Sequence, residues 1–172
     1  MVTSSQRIRA KQLERQAEGY LELGLPEQAL ATLLRLGQGG PWNAHSLYLY
    51  GEALRSLERY GEAITPLCQA AQLAPGNIHI WLALGWCYKR TGRIDLAIDA
   101  MRQACDAEPG EAMVHYNLAC YLSLAGKKEE SLAQLAQALS RDPDYRALID
   151  EEPDFDPIRS DPGFQALVGV RV

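Results

Sequence analysis

The chain has few aromatic residues and no excess of positive charge. Each of these features excludes or disfavours certain classes of protein. Aromatic residues make up 8% of the 172 residues, whereas Ala, Leu, Gln and Glu are abundant, which is typical of helices packed through small side chains. The formal net charge of −5 argues against nucleic-acid binding, because phosphate recognition needs a basic surface. The length falls within the usual range for one domain.

Long hydrophobic runs are also absent from the sequence. The longest apolar run extends from Ile80 to Tyr88, well short of the roughly 20 residues that cross a membrane. Near the N-terminus, Arg7, Arg9 and Lys11 are followed by no apolar stretch, which excludes a secretory signal. These features predict a cytoplasmic protein that does not bind membranes.

Cysteine usage gives no sign of a metal site or a disulfide framework. The four cysteines are Cys68, Cys87, Cys105 and Cys120, and none of them forms a C-x2-C pair. Zinc binding of that kind is therefore not predicted. Free thiols are expected, because the chain lacks a secretory signal and is not a small stapled scaffold.

Sequence motifs of enzymes are missing as well. No G-x-S-x-G, H-E-x-x-H or nucleotide-loop pattern occurs. The glycine cluster between Leu36 and Pro41 follows a helical pattern and lacks the Lys-Ser/Thr pair of a phosphate loop, so we interpret it as a linker. We predict that the protein is not an enzyme and needs no cofactor.

The feature that is present is an internal repeat. The block from Ile78 to Glu111 places large, small and proline residues at eight fixed positions, numbered 4, 7, 8, 11, 20, 24, 27 and 32 from Ile78. In order these are Trp81, Leu84, Gly85, Tyr88, Ala97, Met101, Ala104 and Pro109. Blocks starting at Ala10, Ala44 and Ala112 repeat this pattern without insertion.

The agreement among the four blocks is close enough to exclude chance. Of 32 positions, 29 carry the expected type of residue, and the exceptions are Gln16, Leu36 and His115. Small residues at positions 8, 20 and 27 allow two helices to approach where they cross, and large residues fill the space around them. Proline at position 32 ends the second helix of each block.

The turns between the two helices of each block are expected to contain helix-stopping glycines, namely Gly24, Gly61, Gly92 and Gly126. The first helix of the first block is expected to begin early, because Thr3 to Gln6 offers a capping-box pattern.

This pattern resembles the tetratricopeptide repeat, a 34-residue helix–turn–helix unit. The resemblance implies an all-α, right-handed α-solenoid of four units with short C-terminal capping helices. The expected boundaries are an N-terminal extension at 1–9, repeats at 10–43 (degenerate), 44–77, 78–111 and 112–145, and a cap at 146–172. The cap is similar to the closing segment of many bacterial tetratricopeptide proteins.

The cap is expected to cover the exposed apolar face of the last repeat with five apolar side chains, Ile149, Phe155, Ile158, Phe164 and Leu167. Asp161 is expected to cap a short helix with Pro162 at its first position. The acidic residues of the cap are expected to face solvent, and they are Asp150, Glu151, Glu152, Asp154 and Asp156.

The resemblance also implies a concave groove lined by the first helix of each repeat. We predict that a partner peptide contacts a set of residues at the groove positions. They are His45, Tyr48, Leu49, Glu52, Arg55, His79, Leu82, Trp86, Lys89, Arg90, Met113, Tyr116, Asn117 and Cys120. Among them, Tyr, Trp and Arg are the types that dominate binding energy at interfaces.

Catalytic or metal-binding roles for these groove residues are less favoured. His45 and His79 occupy equivalent positions on neighbouring repeats, about 10 Å apart, which is too far for both to ligate one metal. To act as a nucleophile, Cys120 would need a partner base within hydrogen-bond reach, for which His79 or His115 is a candidate. Packing is the better interpretation, because Cys120 ends the string Asn117-Leu118-Ala119-Cys120, which resembles the same family segment. No metal site is predicted.

The sequence therefore predicts a protein-interaction scaffold that binds a peptide or helix of a partner. Two alternatives stay open at this point. The chain resembles chaperones for secreted bacterial proteins, although those usually have three repeats. It also fits a scaffold that self-associates as a homodimer and buries Trp86. No residue names the partner.

Overall fold

The computed structural model describes residues 3–37 and 42–169. Within these ranges all regular secondary structure is helical, in agreement with the predicted fold class. The chain divides into two compact units, Met1–Thr91 and Gly92–Val172. Pro41 and most of the predicted glycine linker lie outside the described residues.

The described part of the first unit contains five helices. They are α1 (Ser4–Glu22), α2 (Pro26–Gly37), α3 (Ala44–Ser56), α4 (Tyr60–Leu73) and α5 (Ile78–Arg90). Helix α1 begins early because Thr3 and Gln6 form a capping box, in which the Thr3 hydroxyl accepts from the Gln6 backbone amide and the Gln6 side chain accepts from the Thr3 amide. This start was predicted from the sequence.

The described part of the second unit contains three long helices, followed by shorter helical segments. The long helices are α6 (Ile94–Ala107), α7 (Ala112–Leu124) and α8 (Lys128–Arg141). After a 3-10 turn at Pro143–Tyr145 come α9 (Arg146–Ile149), a 3-10 helix at Pro153–Ile158 and α10 (Pro162–Gly169). We use "the cap" for residues 146–169.

Small side chains mark the close helix contacts of the first unit. Ala17, Ala29, Ala63 and Ala70 are all fully buried, and they occupy positions 8, 20, 20 and 27 of their repeats. Leu33, at position 24, is also fully buried and packs in a core cluster with Ala17 and Ala29. The helices approach closely because alanine leaves room where they cross.

The turns between paired helices contain a residue in the left-handed conformation at a constant repeat position. These residues are Gly24 (φ 70°), Glu58 (φ 58°), Gly92 (φ 74°) and Gly126 (φ 73°). The prediction that Gly61 forms the second turn is wrong, because Gly61 lies inside α4. Glu58 closes α3 with the bond from the Arg59 amide to the Leu54 carbonyl, a Schellman-type ending.

Replacing Glu58 with glycine is expected to stabilise the protein by about 1 kcal/mol, because a β-carbon disfavours the left-handed conformation. The measurement is the free energy of unfolding in urea. Glu58→Ala is the matched control, since it removes the same side chain but keeps the β-carbon. A Gly variant no more stable than the Ala variant would contradict the assignment.

The cap packs onto the second unit through buried apolar side chains, as the sequence analysis expected. Ile149, Phe155, Ile158 and Phe164 are all at most 4% exposed, whereas Leu167 is half-buried. The Phe155 and Phe164 ring centroids are 5.5 Å apart. These contacts shield the apolar surface that the last long helices would otherwise present to water.

Polar contacts hold the ends of the cap in place. Asp161 caps α10 by accepting from the Gly163 and Phe164 amides at 2.8 and 3.3 Å, the predicted arrangement with Pro162 at the first helical position. Lys128 of α8 forms an ion pair with Asp161 at 2.8 Å and lowers the pKa of its carboxyl group. Arg146 donates to the carbonyls of Leu167 and Val168 at the end of α10.

Candidate functional site

In the first unit, helices α3 and α5 present most of the residues predicted to line the groove. His45 and His79 are exposed in the first turns of these two helices. Tyr48 and Leu82 are half-buried further along. Leu49 differs from the prediction, because its side chain is only 3% exposed and belongs to the core that includes Ala17 and Ala53. It contributes packing and offers no surface to a partner.

A bidentate ion pair lies on α3 within this surface. Arg55 donates from Nε to Glu52 Oε1 at 2.7 Å and from Nη2 to Oε2 at 2.8 Å. This hydrogen bonding raises the pKa of the Arg55 guanidinium. The pKa of Tyr48 rises to about 12, through burial first and the Glu52 carboxylate second. The pair therefore holds both charges in a defined geometry beside a neutral phenol.

Helix α5 adds an exposed aromatic ring and two cations. The Trp86 side chain is 37% exposed, and Lys89 Nζ lies 5.3 Å from its ring centroid. Arg90 stacks over Tyr60 of α4, with 5.0 Å between the guanidinium carbon and the ring centroid. Exposure of a tryptophan next to cationic side chains is the combination that interface hot spots favour.

In the second unit, the predicted groove residues are less accessible. Met113 and Asn117 are half-buried, and the Asn117 side chain donates to the Met113 carbonyl at 3.0 Å. Tyr116 is 6% exposed and Cys120 2% exposed, which corrects their predicted role as contact residues. Tyr145 of the preceding 3-10 turn and Phe155 of the cap pack on Tyr116, with ring centroids 4.8 and 5.7 Å from that of Tyr116.

The same contact brings together three potential metal ligands. The Cys120 sulfur and carboxylate oxygens of Glu152 and Asp154 all lie within 4.8 Å of one another. Asp154 is 6% exposed, so the expectation that this acidic segment faces solvent is wrong for this residue. Sequence reasoning missed the cluster because its members are about 30 residues apart and share no ligand motif.

His115 shows why one departure from the repeat pattern is tolerated. Its Nε2 lies 2.9 Å from the Pro109 carbonyl, just as Trp81 Nε1 donates to the Pro75 carbonyl at 2.8 Å one repeat earlier. The carbonyl can only accept, so the His115 ring donates from Nε2. The side chain is 8% exposed and acts as a satisfied core histidine.

Two of the thiols are poorly suited to nucleophilic catalysis. None of the four cysteines, which all lie within the described residues, forms a disulfide, and burial raises the pKa of Cys87 to about 11. Burial also raises the pKa of Cys105. The thiolate is the reactive form, so these two side chains are mostly unreactive at neutral pH.

A pocket of about 520 Å³ lies between α3 and α4, away from the residues predicted to line the groove. Its lining includes Trp42 and Tyr50, whose rings meet edge to face with centroids 5.0 Å apart. The apolar lining of the pocket also includes Leu47, Pro66 and the exposed Leu73. The repeat pattern does not predict this pocket, because Trp42 lies outside the eight signature positions.

Helix–turn–helix segments that recur at a fixed interval define a helical-repeat protein. Three family models described as tetratricopeptide repeat match the chain, over residues 14–78, 54–116 and 113–145. The chain belongs to the tetratricopeptide repeat family. No curated protein matches the sequence.

Solved structures share this fold at low sequence identity. A crystal structure of MamA matches with a TM-score of 0.74 and 22% identity, covering 80% of this chain and 81% of that chain. A double mutant of MamA from RS-1 matches with a TM-score of 0.79 and 20% identity, covering 98% and 92%. YrrB, described as a tetratricopeptide repeat protein with an unusual peptide-binding site, matches with a TM-score of 0.72 and 21% identity, covering 78% and 70%.

Among residues 3–37 and 42–169, none of the helices combines the length and the apolar character that a membrane span requires.

Proposed function

We propose that the surface formed by α3 and α5 binds a peptide or helix of a protein partner, and that the protein acts as a non-catalytic scaffold. The observation that carries this proposal is the exposed Trp86 ring of α5, which has Lys89 over it and shares its helix with Arg90. The Arg55–Glu52 ion pair adds charged groups on α3. Cytoplasmic and bacterial settings stay predictions from the sequence.

The chemistry of the surface defines the kind of peptide that it would accept. The indole ring offers apolar area to a leucine or aromatic side chain, and its burial removes little conformational freedom because the ring has two rotatable bonds. Lys89 and Arg90 favour carboxylates in the same peptide. A short segment with apolar residues flanked by Asp or Glu therefore fits better than a nucleic acid, given the net charge of −5.

The structural similarity to YrrB supports peptide binding as a class of function, since YrrB is described as having a peptide-binding site. At 21% identity the likeness concerns the fold, and it transfers no ligand. The support for a binding role in this chain comes from its own exposed tryptophan and cations.

The test begins by selecting peptides from a displayed random dodecamer library on the full-length protein. We expect the enriched peptides to combine apolar and acidic residues. Trp86→Ala should weaken binding of the best peptide by about 30-fold, the effect of a hot-spot residue, in fluorescence anisotropy. Arg90→Ala should weaken it by a smaller factor that shrinks in high salt.

Matched controls for both substitutions are available away from this surface. Leu73→Ala removes another exposed apolar side chain, and Arg35→Ala removes an exposed arginine of α2. Neither should change peptide affinity. The proposal fails if no peptide is enriched, or if Trp86→Ala binds as tightly as the unmodified protein.

Self-association is the main alternative use of an exposed Trp86. Light scattering over a range of protein concentrations separates the two. A monomer at all concentrations is expected for a peptide receptor, whereas a dimer that dissociates on Trp86→Ala would replace the receptor proposal with a self-associating scaffold.

A further inference from the structure

The second unit contains a cluster of ligand-type side chains that the peptide-binding proposal does not use. Cys120 comes from α7, and Glu152 and Asp154 come from the cap. The sulfur and the two sets of carboxylate oxygens lie within 4.8 Å of one another, at a place where Cys120 and Asp154 are almost fully buried.

The cap segment that supplies both carboxylates is held by its own hydrogen bonds. Arg159 donates to the carbonyls of Glu152 at 2.8 Å and Ile149 at 3.3 Å, and it also pairs with Asp156 at 3.0 Å. The Glu152 carboxylate accepts from the Asp154 amide at 3.2 Å. These bonds fix the loop so that both side chains meet α7 in a defined position.

A second, independent observation points to a ligand at this place. The Tyr116 hydroxyl is buried and has no hydrogen-bond partner in the described structure. Tyr116 lies one helical turn before Cys120, so the two side chains project from the same face of α7. Burial raises the pKa of Tyr116, and Cys120, Glu152, Asp154 and Tyr145 raise it further.

A buried hydroxyl without a partner is destabilising, and this cost disappears when a ligand or bound water reaches it. An ion placed among the three side chains, together with its water, supplies such a partner. The unsatisfied Tyr116 hydroxyl therefore marks this place as a candidate binding site.

We propose that Cys120, Glu152 and Asp154 bind one divalent transition-metal ion, such as Zn²⁺, which links the cap to α7. Thiolate ligation favours Zn²⁺ over Mg²⁺ and Ca²⁺, which prefer sets of oxygen ligands. The fourth position is filled by water that the Tyr116 hydroxyl contacts. Binding releases the thiol proton of Cys120 to solvent, because the thiolate is the ligand.

The geometry requires only a small adjustment. Ligand atoms around tetrahedral zinc are about 3.5 Å apart, which follows from metal–ligand distances of about 2.0–2.3 Å. The three ligand atoms lie within 4.8 Å of one another, and metal binding would draw them to that spacing. Glu152 is half-buried and is the least enclosed of the three side chains.

The test uses the full-length protein with Cys68→Ala and Cys105→Ala, which removes the two more exposed thiols as competing ligands. Cobalt(II) is the probe, because a bound thiolate gives it a strong near-ultraviolet charge-transfer absorption. We expect one equivalent of Co²⁺ to produce this absorption, and Zn²⁺ but not Mg²⁺ to displace it. Cys120→Ser should abolish the absorption.

The carboxylates are tested in the same background. Asp154→Asn and Glu152→Gln should each weaken metal binding at least about tenfold. Asp150→Asn, an exposed acidic residue of the same segment, is the matched control and should bind normally. Circular dichroism checks the folding of each variant. If Cys120→Ser or Asp154→Asn does not fold, metal binding by Glu152→Gln is the deciding measurement, because Glu152 is only half-buried.

Two results would overturn the proposal. The first is Co²⁺ binding without thiolate absorption, which would mean an adventitious ion only, held for example by the exposed His45 or His79. The second is charge-transfer absorption that persists at full strength in Glu152→Gln and Asp154→Asn. Because these measurements use no peptide, their failure would leave the proposed function of the first unit unaffected.

Discussion

Replacing Phe155 with alanine is expected to destabilise the second unit by about 3–5 kcal/mol, the range for removing a large buried aromatic side chain. Phe155 is fully buried and lies at the centre of an aromatic cluster with Tyr116 and Phe164. Its loss leaves a cavity and removes the contact through which the cap packs on α7. The cap should then detach before the rest of the chain unfolds.

The measurement can distinguish the two units because the tryptophans are unevenly placed. Trp42, Trp81 and Trp86 all belong to the first unit, so their fluorescence reports on that unit, whereas circular dichroism reports on all helices. For Phe155→Ala we expect the dichroism transition in urea to move to lower concentration.

Leu148→Ala is the matched control for this substitution. Leu148 lies in the cap but is 54% exposed, so its truncation should change the free energy of unfolding by less than about 0.5 kcal/mol. An unfolding curve for Phe155→Ala that coincides with that of Leu148→Ala would show that the cap does not depend on the aromatic cluster.

The second large effect concerns Gly51, at position 8 of the repeat that begins at Ala44. A β-carbon placed on Gly51 would lie 2.5 Å from Leu67 Cγ and 2.6 Å from its Cδ2. Leu67 is fully buried, so its side chain cannot turn away into solvent. Gly51→Ala is therefore expected to destabilise the first unit by about 1–3 kcal/mol through overpacking.

Gly61→Ala provides the contrast for Gly51→Ala in a neighbouring helix. A β-carbon on Gly61 meets no atom within 4 Å, so the substitution should be neutral or stabilise α4 by up to about 1 kcal/mol. Tryptophan fluorescence in urea measures both variants. Equal midpoints would mean that α3 and α4 do not cross as closely as the structure shows.

Much of the fold could be predicted because repeat positions encode local packing. Alanine at the crossing positions, proline after the second helix and a residue in the left-handed turn all act within about 34 residues of one another. The repeat pattern gave a wrong prediction for the second turn, which was assigned to Gly61. There a glycine stood near the expected turn, but the left-handed position belonged to Glu58 three residues earlier.

The candidate site was less predictable, since exposure depends on what covers a side chain. Position in the repeat identified Trp86 as a surface residue, and it is 37% exposed. The same reasoning placed Tyr116 in a groove, and the cap buries it. Both residues occupy first helices of repeats, so the repeat pattern alone cannot separate them.

The sequence by itself determined the family, the helical repeat and the apolar residues that pack the cap, because these follow from residue type at fixed spacing. Only the tertiary structure decided where the cap lies on α7. That placement buries Tyr116 and Cys120 and brings Glu152 and Asp154 to the Cys120 sulfur. Contacts between segments about 30 residues apart leave no periodic pattern in the sequence. They form only when the buried aromatic rings of the cap and α7 pack against one another in the folded protein.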